Sequence, residues 1–345
     1  MKLSFTALLL ASLTLASCNN KKNNPLFDAV QAQDIQKIEE LIAAGVDVNS
    51  KSEYGIPVLH ETLHQKDIET FQRLVAAGAD VHLKDGSGCT TLARAVNWEA
   101  VDIIKLLLET GFDVNAKNDN GATALMFACG RHSNEIVTIL LDAGADVNVK
   151  ADDETTALMW HATRDNGENM KLLLASGADL HAKDKWGDNA LSWAAMSGNT
   201  NNIAILLDAG LDVNGVNTHG GTALSAAACN EHPDAVKRLL SAGADMNTRD
   251  QNGMTALMHV AAGRHTDEIK KRQYLGFLGE KESREKEVAQ SLARQPELMR
   301  ILLGAGADPT IKSNTNKTAR DFAAQRKAHE MVALMDAALG NKRLP

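Results

Sequence analysis

Residues 121–148 have the sequence GATALMFACGRHSNEIVTILLDAGADVN, and most of the chain repeats this pattern. Thr123 is placed to cap a short first helix by accepting backbone N–H groups, and Leu125 and Ala128 would form the buried side of that helix. The apolar residues of 136–141 have the spacing of a second helix. The stretch therefore predicts two short helices joined by a turn.

The residues that follow the second helix predict how it ends. Gly144 suits the left-handed conformation of a helix C-cap, because glycine has no Cβ. Asp146 and Asn148 have short polar side chains that bond nearby backbone groups, which favours an extended loop. One unit is therefore a helix, a turn, a second helix and a loop.

This unit recurs with a fixed period. The glycine returns every 33 residues, and its last recurrence follows a gap of 63, which is one period and 30 further residues. An aspartate follows each glycine two positions later, and a leucine keeps a constant place in the first helix. Such a period indicates a solenoid in which each unit packs only on its neighbours. The glycines are Gly45, Gly78, Gly111, Gly144, Gly177, Gly210, Gly243 and Gly306, and the leucines are Leu59, Leu92, Leu125, Leu158, Leu191, Leu224 and Leu257.

Blocks such as 121–125 and 253–257 resemble the signature of ankyrin repeats. That signature contains Thr, Pro, Leu and His, and here Ala usually replaces the Pro while Met or Ser usually replaces the His. The resemblance covers residues 25–339 and implies an all-α ankyrin repeat solenoid of about nine units, end caps included. It also implies that loop tips and first helices form a concave surface that binds proteins.

The chain is expected to have four parts: a signal peptide (1–17), a tether (18–24), the repeat array (25–339) and a C-terminal tail (340–345). The last unit carries Arg320 at the leucine position, as an end cap that faces water requires. The predicted units are 25–52, 53–85, 86–118, 119–151, 152–184, 185–217, 218–250, 251–313 and 314–339.

Thirty additional residues, 263–292, separate the two helices of the eighth unit. They combine many charged residues with a small apolar group at Tyr274, Leu275, Phe277 and Leu278, and their pattern indicates helical extensions. Two interpretations remain open. The segment is either a solvated helical hairpin without a role or a protrusion that binds a partner, since long insertions in tight repeats often carry function.

The composition narrows the class of function. The chain has 36 basic and 44 acidic residues and a net charge of −8, which argues against a polyphosphate backbone as its main partner. We therefore do not expect nucleic acid binding. The sequence contains neither a phosphate-binding glycine motif nor the GxSxG motif of a nucleophile elbow, and we expect no cofactor.

The N-terminal segment has the features of an export signal. Lys2 precedes an apolar run, residues 3–16, that is shorter than the roughly 20 residues of a membrane-spanning helix. Residues 15–18, Leu-Ala-Ser-Cys, resemble the lipobox of bacterial lipoproteins, which implies that the chain is cleaved before Cys18 and that Cys18 receives several acyl chains. Asn19, in place of aspartate, favours the outer membrane in that family's sorting rule. The alternative is ordinary secretion with a coincidental cysteine.

Four side chains that do not belong to the recurring glycine, aspartate and leucine positions, which we call the structural columns, are candidates for binding a partner. Tyr54 and Trp186 occupy equivalent loop tips, and Trp98 and Arg131 fall at the exposed ends of their first helices. Aromatic and arginine side chains are frequent anchors of protein interfaces. The alternative is that each large side chain merely covers its neighbour.

Two further columns have structural interpretations. Phe127, Trp160 and Trp193 share a first-helix position that we interpret as core. A basic residue also recurs once in each of most units, and aspartates lie beside it. Because of these aspartates, we interpret the basic column as a solvated edge of mixed charge rather than as a track that binds anions. The basic column consists of Lys51, Lys84, Lys117, Lys150, Lys183, Arg249 and Lys312.

Residues 60–64, His-Glu-Thr-Leu-His, match the HExxH motif of zinc proteases, in which two histidines bind the metal and the glutamate activates water. His60 also falls on the histidine of the ankyrin signature, and a short helix embedded in a stack offers no catalytic cleft. We therefore expect no metal site. A metal-dependent hydrolase built on His60, Glu61 and His64 ranks lowest among the functions considered.

Three cysteines remain besides Cys18, namely Cys89, Cys129 and Cys229. They are odd in number and lie in different units of the array, with Cys229 too many units away from the others for a disulfide. We expect three unpaired thiols.

Together these features predict a non-enzymatic, monomeric lipoprotein of the bacterial cell envelope, anchored through Cys18 and facing the periplasm. Its predicted role is to bind another protein. The favoured identity is a scaffold or protective factor for an envelope enzyme. The alternative is an immunity protein that neutralises a secreted toxin or phospholipase effector.

Overall fold

The computed structural model describes residues 24–128, 134–263 and 281–341. The chain forms two compact units, Met1–Leu106 and Leu107–Pro345. We call these two parts the first unit and the second unit, and each of them contains several of the 33-residue repeat units. The described residues contain eighteen helices and no strand, only two isolated bridges, Lys51 with Pro57 and Val216 with Thr222. The all-α class expected from the sequence is confirmed, and consecutive helices pack as repeated helix–turn–helix units.

The first unit contains five complete helices, and its boundary with the second falls inside the sixth. These helices are α1 (Pro25–Gln31), α2 (Ile35–Ala43), α3 (Val58–Gln65), α4 (Ile68–Ala76), α5 (Thr91–Asn97) and α6 (Val101–Glu109). Successive first helices, such as α3 and α5, pack side by side.

The second unit continues the same alternation of short and slightly longer helices. They are α7 (Ala124–Ala128), α8 (Asn134–Asp142), α9 (Ala157–Ala162), α10 (Gly167–Ala175), α11 (Ala190–Ser197), α12 (Thr200–Asp208), α13 (Ala223–Cys229), α14 (Pro233–Ser241), α15 (Ala256–Ala262), α16 (Lys281–Gly304), α17 (Ala319–Gln325) and α18 (His329–Asn341).

The recurring threonine, leucine and glycine residues explain how each repeat unit begins, packs and ends. Thr90 caps α5 by accepting a hydrogen bond from the backbone of Ala93, and Thr222 caps α13 in the same way. The seven leucines from Leu59 to Leu257 are at most 2% exposed, so they form the core between neighbouring first helices. Each column glycine has a positive φ, such as +84° at Gly144, which confirms the predicted left-handed C-caps.

The loop aspartates bond locally, as predicted. Asp146 accepts a hydrogen bond from the backbone of Asn148 at 2.8 Å, and the equivalent bond occurs at all eight column aspartates. The asparagine acts differently from the prediction. Its amide reaches the next unit: Asn148 accepts from the backbone N–H of Asp179 at 2.7 Å and donates to the carbonyl of Gly177 at 3.0 Å.

We call this paired contact the asparagine clasp. It is complete at Asn49, Asn115, Asn148 and Asn214, and Asn247 accepts the corresponding hydrogen bond from Asp308 at 2.9 Å. The clasp therefore joins consecutive loops, and it replaces water on backbone groups that would otherwise be exposed.

The eighth repeat unit has a longer second helix, of 24 residues, than the 9-residue second helices of the units before it. Helix α16 begins at Lys281 and runs through Pro296, so helical extension is observed for this part, whereas residues 264–280 lie outside the described chain. In α17, Arg320 takes the leucine position with its side chain 42% exposed and ion-paired to Asp336. This water-facing side chain is what the sequence predicts for an end cap.

Of the helices between residues 24 and 341, none combines the length and the apolar composition that crossing a bilayer requires.

Candidate protein-binding face

An aromatic row runs across three consecutive first helices of the second unit. Phe127 lies on α7, Trp160 on α9 and Trp193 on α11, and these helices pack side by side. All three side chains are only half-buried, so the interpretation of this column as core is wrong. The reason is geometric: each lies two residues after the buried leucine, about 200° around the helix from it.

Two rings of the aromatic row contact each other, and Trp160 is also hydrogen-bonded to its own loop. Phe127 and Trp160 meet edge to face, with centroids 5.7 Å apart and an interplanar angle of 61°. This arrangement is favourable for aromatic quadrupoles. The indole N–H of Trp160 donates to Thr155 Oγ1 at 3.0 Å, which orients the ring on α9.

Trp193 is oriented by a buried carboxylate. Its indole N–H donates to Asp184 Oδ2 at 3.1 Å, while Oδ1 accepts the backbone N–H groups of Trp186 and Asp188, both at 2.9 Å. Burial raises the pKa of Asp184, because desolvation destabilises the charged form. Asp184 thus fixes a loop tip and a helix side chain in one geometry.

The same loop-to-helix contact recurs, which the sequence interpretation did not identify. Nine positions separate Asp184 from Trp193, and the same spacing separates Asp85 from Arg94 and Asp250 from His259. Burial acts to raise the pKa of Asp85, but hydrogen bonds from Ser87 and Arg94 outweigh it, and the net shift is downward. The available signal was an aspartate nine positions before a side chain that can donate a hydrogen bond.

Trp186, one of the predicted partner-binding residues, lies half-buried at a loop tip of the second unit. Lys185 Nζ lies 4.4 Å from the centroid of its ring, a cation–π contact within the chain. The backbone carbonyl of Trp186 accepts the backbone N–H and the hydroxyl of Thr218, at 3.0 and 2.6 Å. The tip is therefore held by the next unit.

The other predicted partner-binding residues fall in different places. In the first unit, Tyr54 is 53% exposed at its loop tip. Trp98 follows the end of α5, and its ring meets the His64 ring edge to face, with centroids 4.4 Å apart. Trp98 therefore covers a neighbour, as the alternative interpretation stated, and it is half-buried. Arg131 lies outside the described residues.

The basic column connects consecutive units. Lys51 and Lys117 donate from Nζ to the carbonyl of the next column residue, at 2.8 and 3.0 Å, and Arg249 donates to Lys312 O at 3.1 Å. Lys183 donates from Nζ to the carbonyl of Val216, which replaces the basic residue 33 positions later, at 3.2 Å. These contacts use the charges structurally, which favours the mixed-charge edge over the anion-binding track.

The two histidines of the HExxH motif lie in different surroundings. His60 is 4% exposed, and its Nε2 lies 2.9 Å from Thr91 Oγ1, which itself donates to Val81 O at 2.6 Å. Burial lowers the pKa of His60 to about 4, so its ring is neutral, while the exposed His64 lies against Trp98. Within the described ranges, no three His, Cys, Asp or Glu side chains are placed to hold a metal.

The cysteines differ in exposure. Cys89 is buried, and burial raises the pKa of its thiol to about 12, whereas Cys229 is half-buried. Cys18 and Cys129 lie outside the described residues, so the predicted lipidation and the predicted third thiol have no structural description.

Comparison with known proteins identifies the repeat. A family model described as Ankyrin repeats (3 copies) matches residues 59–151, 158–250 and 226–275, which together make up more than half of the 345 residues. A search among curated proteins finds no match.

Proposed function

Because this chain belongs to the ankyrin repeat family, a family of non-enzymatic interaction scaffolds, we propose that it binds one protein partner at the bacterial cell envelope, to which a lipid on Cys18 anchors it. The observation that carries the binding role is the aromatic row. Half-buried Phe127, Trp160 and Trp193 on adjacent helices are the kind of side chain that anchors protein interfaces.

The rigidity of this face supports binding. Two of its three rings are fixed by hydrogen bonds from their indole N–H groups. The asparagine clasp of Asn148 also joins two consecutive repeat loops of the second unit. A preorganised surface loses little side-chain entropy when a partner docks, which favours affinity. Catalysis has no comparable support, since His60 of the HExxH motif is buried beside Thr91.

The proposed anchor would lie close to the repeats. Asn24 caps α1 by accepting from the backbone of Leu26 at 2.9 Å, and its amide donates to Ser50 Oγ at 2.5 Å. Six residue steps separate Asn24 from Cys18, so an extended tether would reach about 20 Å. An acylated Cys18 would therefore confine the first unit to the neighbourhood of the membrane, and we propose the periplasmic side of the outer membrane.

Partner binding is tested by photo-cross-linking in living cells. Benzoylphenylalanine in place of Phe127 or Trp193 keeps an aromatic ring on the proposed face, and the same residue in place of the exposed Lys171 on α10 is the control. We expect one discrete cross-linked protein from each row position and none from the control. The absence of an adduct, or the same pattern from all three positions, would refute the binding role.

Anchoring is tested separately with labelled palmitate. We expect wild-type protein to incorporate the label and to sediment with membranes, and Cys18→Ala to do neither. A labelled or membrane-bound Cys18→Ala protein would contradict the anchor without affecting the binding role.

A further inference from the structure

Four asparagines of the chain are followed directly by a glycine, namely Asn120, Asn166, Asn214 and Asn252. Asparagine is a thermolabile residue. The amide carbon of its side chain can be attacked by the backbone nitrogen of the next residue, and a glycine at that place offers no Cβ that hinders the attack. The structure places these four asparagines in two different kinds of surroundings.

Three of the four asparagines have the same backbone hydrogen bonds. The N–H of Asn120 donates to the side-chain oxygen two positions earlier at 2.9 Å, and the N–H of the glycine after it donates to the carbonyl three positions before that glycine at 3.1 Å. The same two distances are 2.9 and 3.1 Å at Asn214, and 2.8 and 2.8 Å at Asn252. The attacking nitrogen is therefore bonded alike in the three turns.

The side chains of Asn214 and Asn166 are held by hydrogen bonds. Asn214 forms an asparagine clasp, in which it accepts from the backbone N–H of Asp245 at 2.7 Å and donates to a carbonyl at 3.3 Å. Asn166 caps α10 by accepting from the backbone of Asn169 at 3.3 Å, and it donates to Asn134 Oδ1 at 3.0 Å. These bonds must break before either amide carbon can turn towards the backbone nitrogen.

The side chains of Asn120 and Asn252 are exposed at loop tips. Over residues 24–128, 134–263 and 281–341, no hydrogen bond holds either side-chain amide. Their backbone carbonyls are engaged, since Asn120 O accepts from the N–H of Asp152 at 3.0 Å and Asn252 O accepts from the N–H of Asn314 at 2.9 Å. Each side chain can therefore rotate while its backbone stays bonded to the next loop tip.

We propose that Asn120 and Asn252 are sites of spontaneous deamidation, and that the hydrogen bonds of Asn166 and Asn214 protect those two asparagines from the same reaction. This inference concerns a chemical modification of the loop tips and does not depend on the proposed function.

The reaction needs only water as a co-reactant. The backbone nitrogen of Gly121 forms a bond to Cγ of Asn120 and gives up its proton, the Cγ–Nδ2 bond breaks, and ammonia leaves with that proton. Water then opens the resulting succinimide at either of its carbonyls, which gives aspartate or isoaspartate. At the second site the glycine after Asn252 supplies the nitrogen.

Both products alter the loop tip. Each replaces a neutral amide with a carboxylate, and in isoaspartate the main chain runs through Cγ, so the former backbone carbonyl leaves the main chain. That carbonyl is the group that bonds Asp152 or Asn314. We therefore expect deamidation to weaken the contact between consecutive loop tips.

The test follows all four asparagines in one sample. The full chain, purified in detergent, is kept in warm neutral buffer made with heavy-oxygen water, so that only carboxylates formed during the incubation carry the label, and peptide mass spectrometry measures each site. We expect labelled aspartate and isoaspartate at Asn120 and Asn252. Conversion at Asn166 and Asn214 should be about tenfold slower, because two hydrogen bonds must break first.

The same chain unfolded in urea is the control, since all four sites should then convert at similar rates. Two results would overturn the inference. One is conversion of Asn214 in the folded chain as fast as that of Asn120 and Asn252. The other is that Asn120 and Asn252 stay intact in the folded chain during an incubation that converts them in urea.

A double variant tests the effect on the loop tips. Asn120→Gln with Asn252→Gln keeps both amides, but the longer side chain closes its larger ring far more slowly. After the incubation, wild-type protein should melt at a lower temperature than before, and the double variant should melt as before. An equal loss in both proteins would refute the weakening of the loop contacts by deamidation.

Discussion

The Asn148 side chain accepts a hydrogen bond from the backbone N–H of Asp179 at 2.7 Å and thereby joins two loops that are 31 residues apart. Its amide nitrogen completes the clasp by donating to Gly177 O at 3.0 Å. His181 occupies the same column in the following unit. The contrast between these two positions allows the contribution of the clasp to be measured.

Loss of one clasp should destabilise the second unit. Asn148→Ala removes two hydrogen bonds, and we expect the free energy of unfolding to fall by about 1–2 kcal/mol. Urea unfolding followed by circular dichroism measures the change. Asn201→Ala, on an exposed position of α12, is the control and should shift stability by no more than about 0.5 kcal/mol. Equal effects of the two changes would show that the clasp contributes nothing specific.

Installing a clasp should have the opposite effect. His181→Asn places a side-chain amide at the position that corresponds to Asn148, from which it can bond the backbone of the following loop. We expect a gain of up to about 1 kcal/mol in unfolding free energy. A loss of stability in this variant would mean that His181 makes a stronger contribution of its own.

Two glycines with similar φ should respond differently to alanine. At Gly144, with φ of +84°, an added Cβ would meet nothing within 4 Å, so Gly144→Ala should cost only the left-handed strain, about 1 kcal/mol. At Gly121, with φ of +74°, the Cβ would lie 2.6 Å from Asp152 Oδ1 and 2.8 Å from Asp152 N.

The steric conflict should therefore make Gly121→Ala more costly than Gly144→Ala by at least about 1 kcal/mol. The two melting temperatures, measured in the same buffer, provide the comparison. Indistinguishable values would show that the loop at Asp152 adjusts freely.

Acid should weaken the fold through two buried histidines. Burial lowers the pKa of His60 and of His161 from 6.5 to about 4, so the folded chain holds both rings neutral while the unfolded chain takes up protons below pH 6.5. Their stabilising contribution is complete above pH 6.5 and is lost as the pH falls towards about 4. Each shift corresponds to roughly 3 kcal/mol at the acid end.

Variants separate these histidines from the carboxylates that also titrate, such as Asp85. His60→Gln and His161→Gln keep a polar side chain without a proton-binding ring. We expect the double variant to lose less melting temperature than wild type between neutral and mildly acidic pH. An identical loss would assign the acid sensitivity to other groups.

Cys89 should be chemically inert in the folded protein. Burial raises its thiol pKa to about 12, which leaves almost no thiolate near pH 8. We expect iodoacetamide to modify the half-buried Cys229 well before Cys89, and both equally in denaturant, as peptide mass spectrometry would show. Rapid native modification of Cys89 would indicate that the loop before α5 opens frequently.

Local features of the fold follow from the sequence because their causes are local. The threonine caps, the buried leucines and the positive φ of glycines such as Gly144 depend on residues within one repeat unit. Because each of these residues recurs with a fixed period, its structural role could be predicted from the sequence. The residues of the candidate face were harder to predict from the sequence. Tyr54, Trp98, Arg131 and Trp186 were chosen by their position at loop tips and helix ends, and their role in binding stays a prediction.

The sequence by itself determined the repeat, the order of its helices and the side of each helix that is buried, since hydrophobic spacing and backbone preference act over a few residues. Only the tertiary structure decided that the Phe127 and Trp160 rings meet edge to face and that Asn148 bonds to the next loop. Those outcomes depend on how closely neighbouring units approach, a distance set by stacking side chains from residues about 33 positions apart, which no single unit encodes.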